Sequence, residues 1–260
     1  MVMGILNITK DSFYDGGKHI QIADILAHTE KMLTEGAGII DIGAVSTRPG
    51  ANEIDEVQEM EIFKEFLPAI VKEFPQAIIS VDTYRSNVAK YTIENGAHII
   101  NDISAGNFDN KMFETIAELK APYIMMHIKG TPQNMQQNPI YTNLIGEIIS
   151  YFQEKILKLK SLGVKDIIVD PGIGFGKTLD HNYEILSKLE MLKIFELPIL
   201  MGVSRKSLIY KLLGGTPAEA QNGTTVLNTV SLLKGASILR VHDVKEAVEA
   251  IKIFSKLETF

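Results

Sequence analysis

Eight short apolar runs, each closing on a polar or charged side chain and each followed by a stretch of helical spacing, divide the chain into repeated β-then-α units. The runs cover 2–6 closing on Asn7, 39–42 around Asp41, 78–81 closing on Asp82, and 99–100 closing on Asn101. Then come 123–126 closing on His127, 167–169 on Asp170, 199–203 on Ser204, Arg205 and Lys206, and 238–241 with Arg240 and His242. Parallel strands closed into a barrel put all their carboxyl ends on one rim, so these polar groups would share one pocket.

Between the runs, Ile22, Ile25, Leu26, Thr29, Met32 and Leu33 make one helical stripe, and Val57, Met60, Phe63, Phe66, Leu67, Ile70 and Val71 another. The same spacing predicts helices over 88–94, 112–119, 144–162, 183–192, 218–233 and 244–254. Gly36, Gly96 and Gly163 stand where helices should end, Pro198 precedes a strand, and Asp243 with Glu246 predicts a capping box. Eight units favour a closed (β/α)8 TIM barrel, one domain over 1–260, against an open sheet, which would bind ligand only at a switch point. The longest irregular segments, 7–18, 44–53, 128–143 and 171–180, fall on the predicted rim.

At 260 residues and 45% hydrophobic composition the chain fits one such barrel, and its net charge of −6 offers no long-range attraction for nucleic acid or an anionic bilayer. Zero cysteines exclude disulfides, thiolate ligands and a cysteine nucleophile, and fit a reducing cytosol. With no long apolar span and no charged leader, a soluble, cytoplasmic protein is expected, and a first strand starting at residue 1 suggests that a lead-in segment is missing.

Three constellations carry chemistry. The run from Asp170 to Thr178 ends in Gly-Lys-Thr, but only three residues separate Gly172 from Gly176 where a triphosphate-binding loop needs four, so that reading is rejected. The loop instead reads as a mobile wall against which a flat ligand can pack on Phe175. Asp82, Asn101, Asp170 and Lys206 offer acceptors and a donor suited to a ring with a guanidine-like edge. The plainer alternative is that Asp82 and Asp102 cap the helices that follow them. Arg240 and His242 alternate on the last strand beside Asn7, a set suited to an anion such as phosphate, with Asn7 supplying an oxygen to Mg²⁺. A single Arg or His on a strand, here Arg240 or His242, can also be structural, by pairing with Asp243, and His127 has the same plain alternative. The first strand has no His-x-His to support a zinc hydrolase.

These motifs resemble the dihydropteroate synthase family of the folate pathway. The resemblance runs from Met3 to Val244 through Met3-Gly4-Ile5-Leu6-Asn7-Ile8-Thr9, Asp11-Ser12-Phe13, Asp15-Gly16-Gly17, Ser46-Thr47-Arg48-Pro49-Gly50, Ser80-Val81-Asp82-Thr83 and Asn101-Asp102-Ile103-Ser104. It continues in Met126-His127, Lys129-Gly130-Thr131-Pro132, the loop from Asp170 to Thr178, Ser204-Arg205-Lys206-Ser207 and Arg240-Val241-His242-Asp243. It implies a pterinylmethyl transferase, a sulfonamide target, that joins 6-hydroxymethyl-7,8-dihydropterin diphosphate to p-aminobenzoate with Mg²⁺ and forms a homodimer. By resemblance Asp82, Asn101, Asp170 and Lys206 hold the pterin. Asn7, Thr47, Arg240 and His242 hold the diphosphate, and Asn7 also ligates the metal. Thr47, Arg48, Pro49, Phe175, Lys206 and Ser207 meet p-aminobenzoate, and Asn7, Asp15, Lys206, Arg240 and His242 form the catalytic set. Lys10 stands where the family usually has Pro, and Ala44-Val45 where Gly-Glu is usual. Two rival readings are a pterin-binding methyltransferase domain, which has no need of the diphosphate set, and a non-catalytic pterin-binding protein.

Overall fold

A computed structural model of the chain describes residues 1–8, 22–45 and 54–259. The strands are β1 Val2–Asn7, β2 Ile39–Gly43, β3 Ile79–Asp82, β4 Ile99–Asp102, β5 Tyr123–Met126, β6 Ile167–Asp170, β7 Leu200–Met201 and β8 Ile238–Val241. Alternating with them are α1 Ile22–Thr34, α2 Glu56–Glu73, α3 Ser86–Glu94, α4 Met112–Leu119, α5 Leu144–Ser161, α6 Leu179–Ser187, α7 Ser207–Leu213, α8 Gln221–Leu233 and α9 Val244–Leu257. The strands form one sheet in the order β6-β5-β4-β3-β2-β1-β8-β7, every pair parallel. A parallel bridge between Val169 and Ile199, with Val169 N donating to Pro198 O at 3.0 Å, joins the two ends, so the sheet is a TIM barrel as expected.

Side-chain alternation along each strand divides the molecule into two apolar layers and a polar rim. Inward-facing Met3, Ile39, Ile99, Ile124, Leu200 and Ile238 plug the barrel floor, with Ile168 against them. Outward-facing Ile40, Val81, Ile100 and Val169 pack with Phe63, Leu67 and Phe152 from the helices in the larger core. The next inward positions toward the carboxyl ends turn mostly polar, Ile5 and Met126 excepted. Asp41 and Ser80 are register partners in this second layer, and Asn7, Gly43, Asp82 and Asn101 are successive register partners across four strands. The barrel floor is therefore sealed by aliphatic side chains, and the chemistry is confined to its upper half.

Gly36, Gly96 and Gly163 adopt positive φ just past the ends of α1, α3 and α5, as expected. Three expectations are corrected. The helix over 183–192 is α6, which starts earlier and stops at Ser187, followed by a 3-10 segment Leu189–Phe195. Leu186, Leu189 and Leu192 are all buried, and a strict three-residue spacing suits three residues per turn better than 3.6. The helix over 218–233 begins only at Gln221, after a 3-10 turn Pro217–Glu219 and the unanticipated α7. Finally, Asp243 makes no capping bond to α9, because its carboxylate accepts from Arg205 Nε at 2.9 Å and Nη2 at 2.7 Å. A two-pronged, charge-assisted pair outcompetes a backbone N–H.

Candidate active site at the carboxyl rim

Arg240 lies on β8, and its guanidinium reaches past the neighbouring β1 to carboxylates on β2 and β3. Nε donates to Asp41 Oδ2 at 2.7 Å and Nη2 to Asp82 Oδ2 at 2.9 Å. Asn101 Nδ2 donates to the same Asp41 oxygen at 3.0 Å. Asp41 is fully buried, while Arg240 and Asp82 keep 21% and 12% of their side chains exposed, so Asp41 anchors the cluster from below and the other two face the mouth. Burial works against the Arg240 charge, but Asp41 and Asp82 outweigh it and hold the guanidinium above its ordinary value. The alternative pairing of Arg240 with Asp243 is thus excluded; Asp243 belongs to Arg205.

Gly43 separates Asn7 from Asp82, and the space a Cβ would fill there lies 3.8 Å from Asn7 Oδ1 and 3.9 Å from Asp82 Oδ2. Gly202 makes similar room for Lys206 Nζ, 3.7 Å from its unoccupied Cβ position, with Arg240 Cβ at 3.9 Å. Lys206 precedes α7, donates from Nζ to Ile173 O at 2.6 Å, and sits 4.9 Å above the Phe175 ring. Burial lowers its pKa to about 8, opposed by Asp170. Burial raises Asp170, opposed by Lys206, and Asp170 Oδ1 also accepts from Gly172 N at 2.7 Å. Burial likewise pushes Asp82 up to about 7, with Arg240 pulling down and Asp41 pushing further up. Asn7, Asp82, Asn101, Asp170, Lys206 and Arg240 therefore share one mouth, with half-buried Phe175 under Lys206 and half-buried Ser207 following Lys206 at the start of α7. His242 lies one residue beyond β8, at the exposed edge, its Nδ1 3.0 Å from Ser204 Oγ.

Asp15, Thr47, Arg48 and Pro49, and Lys10 among the departures, lie outside the described residues. Ala44, by contrast, is described and buried. The capping alternative for Asp82 does not hold, since α3 starts after Arg85 with no side-chain cap. Asp102 does not cap a helix either. It closes a turn by accepting from Ser104 N and Oγ and from Gly106 N, and takes the Tyr123 hydroxyl at 2.6 Å. Asp41 was absent from the expected site set; its signal was an acid at an inward position inside the apolar run 39–42, which needs a partner when buried.

Comparison with known proteins accords with this geometry. A profile of pterin binding enzymes matches residues 3–242. The chain is 42% identical to the dihydropteroate synthase of Escherichia coli K12 over 254 residues, 97% of this chain and 89% of that protein. It is 40% identical to that of Synechocystis over 259 residues, 98% and 89% of the two chains. Among solved structures, the Yersinia pestis dihydropteroate synthase in complex with a sulfonamide drug superposes with a TM-score of 0.93 at 41% identity, covering 100% of this chain and 94% of that one. The Xanthomonas albilineans dihydropteroate synthase with 4-aminobenzoic acid gives 0.90 at 32% identity, covering 100% and 93%.

Proposed function

Because the chain belongs to the dihydropteroate synthases, the pterin-binding transferases of folate biosynthesis, we propose that its rim cluster divides the reaction between a ring site and an anion site. The observation that carries this division is Arg240, which bridges Asp41 below and Asp82 beside it. Asp82, Asn101, Asp170 and Lys206 hold the dihydropterin ring, the carboxylates accepting from its amino and ring N–H groups. Asn7, Arg240 and His242 receive the diphosphate, together with Thr47. Phe175, Lys206 and Ser207, with Thr47, Arg48 and Pro49, meet p-aminobenzoate.

The chain's residues act chiefly on the leaving group. Arg240 is held by two carboxylates, so its donors are preset where negative charge grows as the C–O bond to diphosphate breaks. The electron-rich dihydropterin delocalises the methylene cation left behind, the p-aminobenzoate nitrogen forms the new C–N bond, and its proton is lost to solvent. Asp15 belongs to the same catalytic set.

Mg²⁺ fits this donor set. No cluster of three or more acidic, histidine or cysteine groups suited to a metal occurs among the described residues, but Asn7 presents an oxygen at the mouth beside Asp82. Mg²⁺ typically takes one or two protein oxygens plus phosphate oxygens and water, and bound there it would neutralise charge on the diphosphate. We place the enzyme in the cytoplasm, on its lack of cysteine, and no helix among the described residues is long and apolar enough to cross a membrane. A homodimer is supported by exposed Leu212, Leu213, Val226 and Leu233 on α7 and α8.

The test is to follow diphosphate release and dihydropteroate formation with each substrate alone and both together. Equal amounts of the two products, with dependence on both substrates, are expected. Ring binding without release would instead favour a non-catalytic pterin-binding protein, and methyl transfer from a methylated folate a methyltransferase domain.

Asp82 gives this reading a pH signature. Folding lifts its carboxyl to about 7, so its contribution to stability is greatest in acid and is lost as pH rises through that value. Ring binding has the opposite sign, because an N–H donor needs the carboxylate. Pterin affinity is expected to rise about tenfold per pH unit below 7 and to turn over as Lys206 loses its proton near 8, and Asp82→Asn to flatten the rising limb, as calorimetric titration across pH 5.5–8.5 would read.

A further inference from the structure

We infer that Lys177 is a positioning residue that clamps the 172–176 segment, and with it Phe175, against the rim of β5. Lys177 is 2% exposed and His127 4%. The ammonium Nζ stands 3.0 Å from His127 Nδ1 and donates to His127 O at 3.3 Å and Phe175 O at 2.9 Å. Burial pulls Lys177 well below the ordinary lysine value, opposed by Asp170; in the protonated form, with the imidazole proton on Nε2, its three hydrogens match three acceptors. Burial, with Lys177 and Lys129 nearby, drives His127 down to about 2, so the ring stays neutral and serves as an acceptor. The lysine of the Gly-Lys-Thr sequence thus turns inward, onto His127.

The surrounding backbone is packed for such a clamp. Gly172 and Gly176 adopt φ of +71° and +64°, and a Cβ on either would collide with the carbonyl oxygen of His127 or Lys129. Tyr141 OH donates to Gly176 O at 2.8 Å, and Gln136 Nε2 to Gly174 O at 2.6 Å. On the other side, Ile173 O accepts from Lys206 and the Phe175 ring lies under the same ammonium. A Met of similar length would fill the slot without desolvating a charge, but it would leave the carbonyls of His127 and Phe175 and His127 Nδ1 without this donor. What only the ammonium supplies is a tie from His127 to the Phe175 carbonyl.

The functional part rests on the assignment of Phe175 to p-aminobenzoate, so the experiment separates the two. Lys177→Met is examined by amide hydrogen exchange and steady-state kinetics, with Phe175→Ala as the reference. Expected are a folded protein, exchange over 172–176 faster by about tenfold or more, and a KM for p-aminobenzoate raised about tenfold with kcat changed less than about threefold. Unchanged exchange overturns the clamp. So does a normal KM in Lys177→Met when Phe175→Ala raises it, because Lys177 would then be merely structural. If neither variant raises KM, the assignment of Phe175 falls and the exchange rate alone decides the clamp. Should Lys177→Met fail to fold, His127→Asn, whose amide oxygen can replace Nδ1, is expected to exchange like the wild type and His127→Leu faster; equal rates overturn the clamp.

Discussion

Arg240→Met is expected to lower kcat/KM by about a hundredfold or more, which corresponds to roughly 3 kcal/mol of transition-state stabilisation. The loss follows from geometry: the guanidinium is fixed through Nε and Nη2, so its place at the mouth is preset before the leaving group departs. The same substitution strips a partner from Asp41, a fully buried carboxylate, and from Asp82. Breaking a buried pair by removing one member costs about 3–5 kcal/mol, so the variant should also melt earlier. The two effects can be separated. Adding Asp41→Asn removes the uncompensated charge and should restore much of the melting temperature, while turnover stays low because the cation is still missing. Turnover that recovers along with stability would mean that Arg240 acts only by holding the barrel together.

Asp170→Asn carries the second large effect. The wild-type carboxylate takes Gly172 N at 2.7 Å through Oδ1 and is the main attraction on Lys206. An amide oxygen can keep the Gly172 bond, but an NH₂ then faces the ring, so a donor confronts a donor. Lys206 also loses the carboxylate that opposes its desolvation, and its pKa should fall further below about 8. Loss of one charge-assisted bond with an unmet buried partner amounts to about 1.5–3 kcal/mol, so pterin affinity should weaken by about ten- to a hundredfold with the fold kept. Calorimetry with pterin diphosphate, beside a thermal melt, reads both. Undiminished affinity would remove Asp170 from the ring site.

Much of this was legible in the sequence because a closed parallel barrel turns linear position into radial position. Asn7, Asp82, Asn101 and Asp170 each end an apolar run, and strand ends share a rim whatever the loops between them do. What partners those groups was not legible. Arg240 and Asp41 are 199 residues apart, and which acid it meets depends on how the strand registers align once the barrel closes. Asp243 is the opposite case: its local pattern predicted a cap, and a tertiary partner, Arg205, took the carboxylate. Lys177 shows the same limit, since nothing in Gly-Lys-Thr says that the side chain turns inward to His127. The split of 183–192 into α6 and a 3-10 segment was recoverable in principle from the three-residue spacing of Leu186, Leu189 and Leu192.

The most direct check on the division of the rim is a crystal structure of the protein with 6-hydroxymethyl-7,8-dihydropterin diphosphate. The ring edge is predicted to contact Asp82, Asn101, Asp170 and Lys206, with the diphosphate turned toward Asn7, Arg240 and His242. A ring seated away from the two aspartates, or a diphosphate pointing away from Arg240, would contradict it.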